Sequence, residues 1–396
     1  MRTRTVISAL VGTLSAACVL GSLPLSATGS TQVTQARAEA RAAAAPALRV
    51  RVVMRNLDIP WDTAFLPNGA MLVTERSRKR ILLRMPRGRV RVVARNPRGI
   101  WASGETGLMD LAVDPRFRRN RRFYTCHGAN RRGGGHDVRV VAWRLNGRST
   151  RARRVETLLA GIPATSGRHG GCRVEIDPRG RMWIATGDAA IGRNPQRLRS
   201  LGGKVLRINR FTGRPAAGNP YRRAGNRNKR KVVTHGHRNV QGLAWRPGDG
   251  MWSVEHGSFR DDEVNRLVGR GDYGWHPVPG YNEQVPMTDH RLPGRQRAAK
   301  WRSGAPTVAT SGADWLTHRR WGAWRGRLAV AALKDSSLRI MRFSGRNRLV
   351  GVQRPRALTR FGRLRSVTLG PRGALYITTS NGGGNDRVLR VVPRRR

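Results

Sequence analysis

A chain of 396 residues with 38% hydrophobic content and 11 Trp can bury a large core, which excludes a disordered polypeptide and fits two or three average domains or one large all-β domain. The formal charge of +54 comes from 77 Lys and Arg against 23 Asp and Glu, and because Lys79, Lys204, Lys229, Lys231, Lys300 and Lys334 are the only lysines, the excess is arginine. Such a surface makes non-specific polyanion contacts, yet its clusters (116–123, 222–231 and the last three arginines) lack the interleaved aromatics of a nucleic-acid stacking platform, and the rest of the charge is scattered over solvated faces.

The first residues read MRTR, then an apolar run from Val6 to Leu25, then small residues through Gly29. A charged region, an apolar stretch and a cleavage zone in that order predict an export signal over 1–29, followed by an Ala-rich linker over 30–46. The mature protein is expected outside the cytoplasm, secreted or in the cell envelope. LSAAC, ending at Cys18, loosely resembles a lipobox, so lipid anchoring there is the secondary expectation. Once the leader is removed only Cys126 and Cys172 are left, and an oxidising compartment would permit a disulfide. The sequence leaves open whether the two are close.

From Ala47 onward one phrase recurs: an apolar strand, a Pro-x-Gly or related turn, and a second apolar strand. It appears as AFLPNGAMLVTER (64–76), EIDPRGRMWIATGD (175–188), AWRPGDGMWSVEHG (244–257) and TLGPRGALYITTSN (368–381), with a degenerate copy at 111–128. Proline presets φ, glycine accepts a positive φ, and the alternating flanks continue as strands, so each copy predicts a hairpin. The gap between Pro247 and Pro371 is about twice the gap before it, which predicts a further copy. WGAWRGRLAVAALKDSSLRIMRF (321–343) fills it, with Gly326 in the turn. Six hairpin units without amphipathic helices between them predict an all-β, six-bladed β-propeller over 47–396.

GHRNVQGLA (236–244) sets Arg238, Asn239 and Gln241 within four positions. They offer fixed donors and no titratable base, which suits a planar, oxygen-rich anion. A base must come from elsewhere, and His169 in RHGGC is the candidate.

These segments, together with GETGLMDLAVDPRF, LGGKVLRINRFTGRPAAGNPY, EHGSFRDDEVNRL, GDYGW and RLRSVTLGPRGALYITTSN, resemble in order the soluble glucose/sorbosone dehydrogenase family over residues 50–393. The resemblance implies a six-bladed propeller that binds pyrroloquinoline quinone (PQQ) and Ca²⁺. It implies oxidation of an aldose at C1 to the lactone, with electrons passing on to an external acceptor (a quinone, dye or cytochrome). His169 matches the general base and Asp188 the carboxylate beside it. Arg238 and Asn239 match residues at the reactive quinone carbonyl, Gln241 a further cofactor contact, and Lys334, Arg363 and Arg365 the basic residues that hold the cofactor. Gly257 and Ser258 match the backbone carbonyls of a calcium site; Asp262, Glu263 and Tyr273 resemble a second one.

Residue chemistry agrees with these matches. PQQ carries three carboxylates and two adjacent carbonyls, a load that bidentate arginines suit. Arg363 and Arg365 have the period-two spacing of one strand face. Ser258 and Val240 stand where the family has proline, and Cys172, Glu105 and Asp110 alter segments near the base and the substrate. A propeller that has lost catalysis and binds polyanions or glycans is the rival reading. Retention of His169, Arg238, Asn239, Gln241, Lys334, Arg363 and Arg365 argues against it, and no ring of inward acids supports a calcium-dependent hydrolase.

Overall fold

The repeated phrases fold as hairpins for the local reasons their residues supply. The structure is a computed structural model that describes residues 45–394, so the expected leader, Cys18 and most of the linker lie outside the described residues. In the first phrase Leu66 N–H donates to Ala70 O at 2.8 Å across Pro67 and Asn68, while Gly69 takes φ +82°, a value that excludes most side chains. Asp177 to Arg181 repeats this turn, with Gly180 at φ +74°. The degenerate copy replaces the turn by a one-turn helix, Phe117–Asn120, ended by Arg121 in the left-handed region. It is the only α-helix among the described residues.

Each hairpin supplies the first two strands of a four-stranded antiparallel sheet, and there are six sheets. Their first strands are Pro60–Phe65, Leu108–Val113, Arg173–Ile176, Val240–Arg246, Thr310–Trp315 and Leu364–Leu369. Each packs against the next and the sixth against the first, which closes a ring. The copy expected between Pro247 and Pro371 is the fifth blade, with Gly326 in its first connection, where its N–H donates to Leu316 O at 2.8 Å. The strand Leu48–Leu57 pairs with Asp386–Pro393 and completes the sixth blade, so the first and last strands of the propeller are sealed into one sheet. The all-β, six-bladed propeller expected from the sequence is the fold.

The core lies between blades. Six apolar clusters each join neighbouring blades, such as Leu72, Ile81 and Leu83 of the first blade with Phe123, Val141 and Trp143 of the second. Each such fully buried side chain contributes about 1.5–3 kcal/mol relative to exposure. Val240, which replaces a proline of the family pattern, fills the third-to-fourth cluster with Trp183, Val205 and Met251.

Cys126 and Cys172 are joined in a disulfide between the second and third blades. Both are fully buried. Closing a loop with a sequence separation of 46 constrains the unfolded chain, so replacing both cysteines by serine is expected to lower stability by about 4 kcal/mol. Urea unfolding of oxidised protein and variant measures the difference.

Strand alternation separates two faces of the ring. Turns from first to second strand lie on one face; connections from second to third strand and from blade to blade lie on the other. The Pro-x-Gly turns that reveal the repeat are therefore on the face opposite His169. Between the faces, Arg173 crosses the central channel, donating through Nη1 to Asp62 and Asp110 at 2.6 Å each and through Nε to Gln241 O at 2.8 Å. Below it a cavity of about 320 Å³ opens among Glu175, Asp314 and Thr368 on the turn face, away from His169.

Candidate active site

His169, Asp188, Arg238 and Asn239 all lie in the blade-to-blade and second-to-third-strand connections, so one face gathers them. Glycine makes the approach possible: a β-carbon on Gly187 would collide with the His169 carbonyl, and one on Gly170 with the Thr106 hydroxyl. His169 itself takes φ +53°, a conformation rare for a non-glycine residue and concentrated at functional sites.

The imidazole is 2% exposed and held at one nitrogen. Its Nδ1 is 2.9 Å from Asp188 Oδ1 and 2.9 Å from the Tyr281 hydroxyl. Asp188, fully buried, also accepts from Ala190 N–H at 2.8 Å, Trp275 Nε1 at 2.8 Å and Tyr281 Oη at 2.7 Å. A carboxylate so surrounded by donors keeps Nδ1 protonated and leaves the Nε2 lone pair as acceptor. Nε2 has no hydrogen bond to any described residue. His237 contrasts with it: Nδ1 meets Glu255 at 2.9 Å, Nε2 meets Thr234 at 2.8 Å, and the ring stacks on Tyr273. That histidine is structural.

Behind Asp188, Lys204 donates to the carbonyls of Asn194, Pro195 and Gly202 at 2.6–2.9 Å, and Asn194 Nδ2 returns to Asp188 O at 2.9 Å. The buried ammonium thus organises the loop that carries the carboxylate.

A continuous network leads from the histidine to the basic residues. Asp188 N–H donates to Arg238 O at 2.8 Å, Gly171 N–H to Asn239 Oδ1 at 3.2 Å, and Gln241 Nε2 to the same oxygen at 3.1 Å. Arg365 Nη1 reaches Gln241 Oε1 at 3.4 Å, and Arg363 and Arg365 both contact Ser380, as period-two spacing requires. Burial, then the guanidiniums of Arg76, Arg363 and Arg173, push Arg365 down to about 9, with Glu105 opposing them. Glu105 sits across from it, donated to by Asn239 Nδ2 at 2.8 Å. Its burial works to raise its carboxyl, but His256, His169, Asn239 and Arg365 outweigh that and hold it below the ordinary value.

Gly257 N–H donates to Asp262 Oδ1, Val308 N–H to Asp262 Oδ2, and Lys334 N–H to Val308 O, so these connections meet at one rim. The Lys334 side chain is exposed there. Buried atoms without a protein partner mark the same place: Arg238 Nε, His256 Nε2 and Ser258 Oγ. Orphaned polar groups beside crowded cations fit a ligand rich in anionic oxygens, as PQQ is.

The three residues matched to a second calcium site have separate protein partners. Asp262 accepts from backbone amides at both oxygens and precedes the strand that begins at Glu263. The Tyr273 hydroxyl donates to Arg266 O at 2.6 Å. Glu263 instead shares Asn265 Nδ2 with Glu255, a residue the sequence reading passed over, and burial with that neighbouring carboxylate pushes it up to about 8. Asn265 Oδ1 is buried and unpartnered. Among the described residues no three His, Cys, Asp or Glu side chains form a metal cluster.

Sequence reasoning also missed Arg168, Tyr281 and Glu283. Tyr281 and Glu283 belong to segment 276–287, which has no repeat pattern to flag it. Burial and Asp188 raise the Tyr281 hydroxyl above its ordinary value, so it stays a donor.

Comparison with known proteins adds relatives to this geometry. The glucose/sorbosone dehydrogenase family model matches residues 57–390. The chain is 30% identical over 365 residues to aldose sugar dehydrogenase YliI of Escherichia coli K12, covering 89% of this chain and 95% of that one. A Thermus thermophilus structure described as an oxidoreductase (glucose dehydrogenase) superposes with TM-score 0.74 at 36% identity, over 87% of this chain and all of that one. The PQQ-bound aldose sugar dehydrogenase of Streptomyces coelicolor superposes with TM-score 0.72 at 27% identity, over 88% and 99%. The chain belongs to the glucose/sorbosone dehydrogenase family.

Proposed function

We propose that this protein is an exported quinoprotein that oxidises an aldose at C1 to the lactone, using PQQ and Ca²⁺. One observation carries the reading: a histidine fixed at Nδ1 and free at Nε2 shares a network with Arg238, Asn239, Gln241 and Arg365. When bound, PQQ supplies a carbonyl acceptor for the hydride that leaves C1. Lys334, Arg363 and Arg365 would hold its carboxylates, Arg238 and Asn239 its carbonyl edge, and Gly257 and Ser258 the adjoining calcium ion.

His169 Nε2 takes the proton of the anomeric hydroxyl. Asp188 keeps the ring in the required tautomer and stabilises the imidazolium that forms. The sugar loses one proton and one hydride, which leaves a carbonyl at C1. An external electron acceptor completes the cycle. Export is supported by the leader pattern and by the Cys126–Cys172 pairing.

Purified protein loaded with PQQ and Ca²⁺ is expected to reduce a dye in the presence of aldoses and to lose that activity on chelation of the metal. Failure to bind PQQ, together with no aldose-dependent dye reduction, would overturn the proposal.

A further inference from the structure

Segment 276–287 touches both halves of the site. Tyr281 reaches His169 and Asp188, and two residues later Glu283 reaches the arginines. Its Oε2 accepts from Arg168 Nη2 at 2.6 Å, and its Oε1 accepts from Arg238 Nη2. Burial works to raise the Glu283 carboxyl, but Arg238 and Arg168 outweigh it and hold the group below its ordinary value, so it is ionised at neutral pH. Arg168 lies over the Tyr281 ring at 5.4 Å. Carboxylate, ring and His169 therefore share one wall. The Arg168 and Glu283 side chains are 45% and 32% exposed, so this wall opens to solvent, whereas Arg238 is buried.

Two guanidiniums beside a catalytic base, in a chain of charge +54, would by themselves attract anions. Glu283 occupies both. An anionic sugar would have to displace its carboxylate or lie against it, and like charges at close range disfavour binding. Without the carboxylate, the exposed Arg168 guanidinium would face the entering substrate unpaired.

We infer that Glu283 sets the charge class of the substrate: it occupies both guanidiniums beside His169 and meets the entering sugar with a carboxylate, so uncharged aldoses are accepted and uronates are turned away. This rests on the proposed aldose dehydrogenase activity. A uronate is the appropriate probe because it keeps the reacting C1 and carries a carboxylate in place of the C6 hydroxymethyl.

The test is kcat/KM for glucose and for glucuronate in the PQQ-loaded wild type, Glu283→Gln and Arg168→Gln proteins, with cofactor loading followed by absorbance. The glucuronate-to-glucose ratio should rise about tenfold or more in Glu283→Gln. It should fall in Arg168→Gln, where the carboxylate stays and one cation is lost, and added salt should erode the gain in Glu283→Gln. Equal use of both sugars by wild type, or an unchanged ratio in Glu283→Gln, would overturn the inference. A protein that binds no PQQ and oxidises neither sugar would instead contradict the activity on which it rests.

Discussion

His169→Ala is expected to lower aldose turnover by about a hundred- to ten-thousandfold while PQQ titrates to the same endpoint. The loss follows from the free Nε2 of His169, whereas His237 uses both nitrogens structurally and Asp188 is fully engaged by four donors. Cofactor binding should survive, since its proposed contacts are Arg238, Asn239, Gln241, Lys334, Arg363 and Arg365. Stopped-flow reduction and equilibrium titration separate the two quantities. Turnover unchanged in the variant would place the base elsewhere.

Arg173→Met is expected to cost about 3–5 kcal/mol of stability, because it leaves carboxylates inside the channel without their cation. Asp110 has almost no exposure, and its carboxyl stands well above its ordinary value because of burial and the nearby Asp62, with Arg173 opposing both. Removing the opposing cation raises it further. A carboxyl raised in the folded state is protonated there over a range where the unfolded chain is ionised. Its contribution is therefore present below the unfolded value and is lost as pH rises through the folded one. Thermal unfolding of the variant should give a stability deficit that grows from acidic to neutral pH; an identical pH profile for variant and wild type would contradict the role of Arg173.

How much of this was legible in the sequence depended on whether a residue's task is local. Pro67 to Gly69 and Pro178 to Gly180 encode their turns within a few residues, so hairpins, repeat and blade count could be read directly, including the blade marked by Gly326. The donor-rich run Arg238 to Gln241 was legible for the same reason. Pairing across blades was not. Cys126 and Cys172 meet only because the second and third blades are neighbours, and Arg173 looks like any other arginine until Asp62 and Asp110 surround it.

Asp262 and Glu263 show a different limit. Asp262 ends a connection and Glu263 opens a strand, so a sequence cluster became two separate roles, one fastening a loop and one facing Glu255. Val240, unexplained as a substitution within its motif, is explained by the apolar cluster it fills. Tyr281 and Glu283 had no signal, because segment 276–287 belongs to no repeat and its meaning lies in what it touches.

The most direct measurement is a single turnover. Protein loaded with PQQ and Ca²⁺ is mixed anaerobically with an aldose, and the quinone absorbance and the sugar product are followed together. Loss of the quinone spectrum with one equivalent of lactone formed per site is expected, and in His169→Ala the same loss about a hundred- to ten-thousandfold slower. A PQQ spectrum unchanged by every aldose tested would contradict the proposed activity.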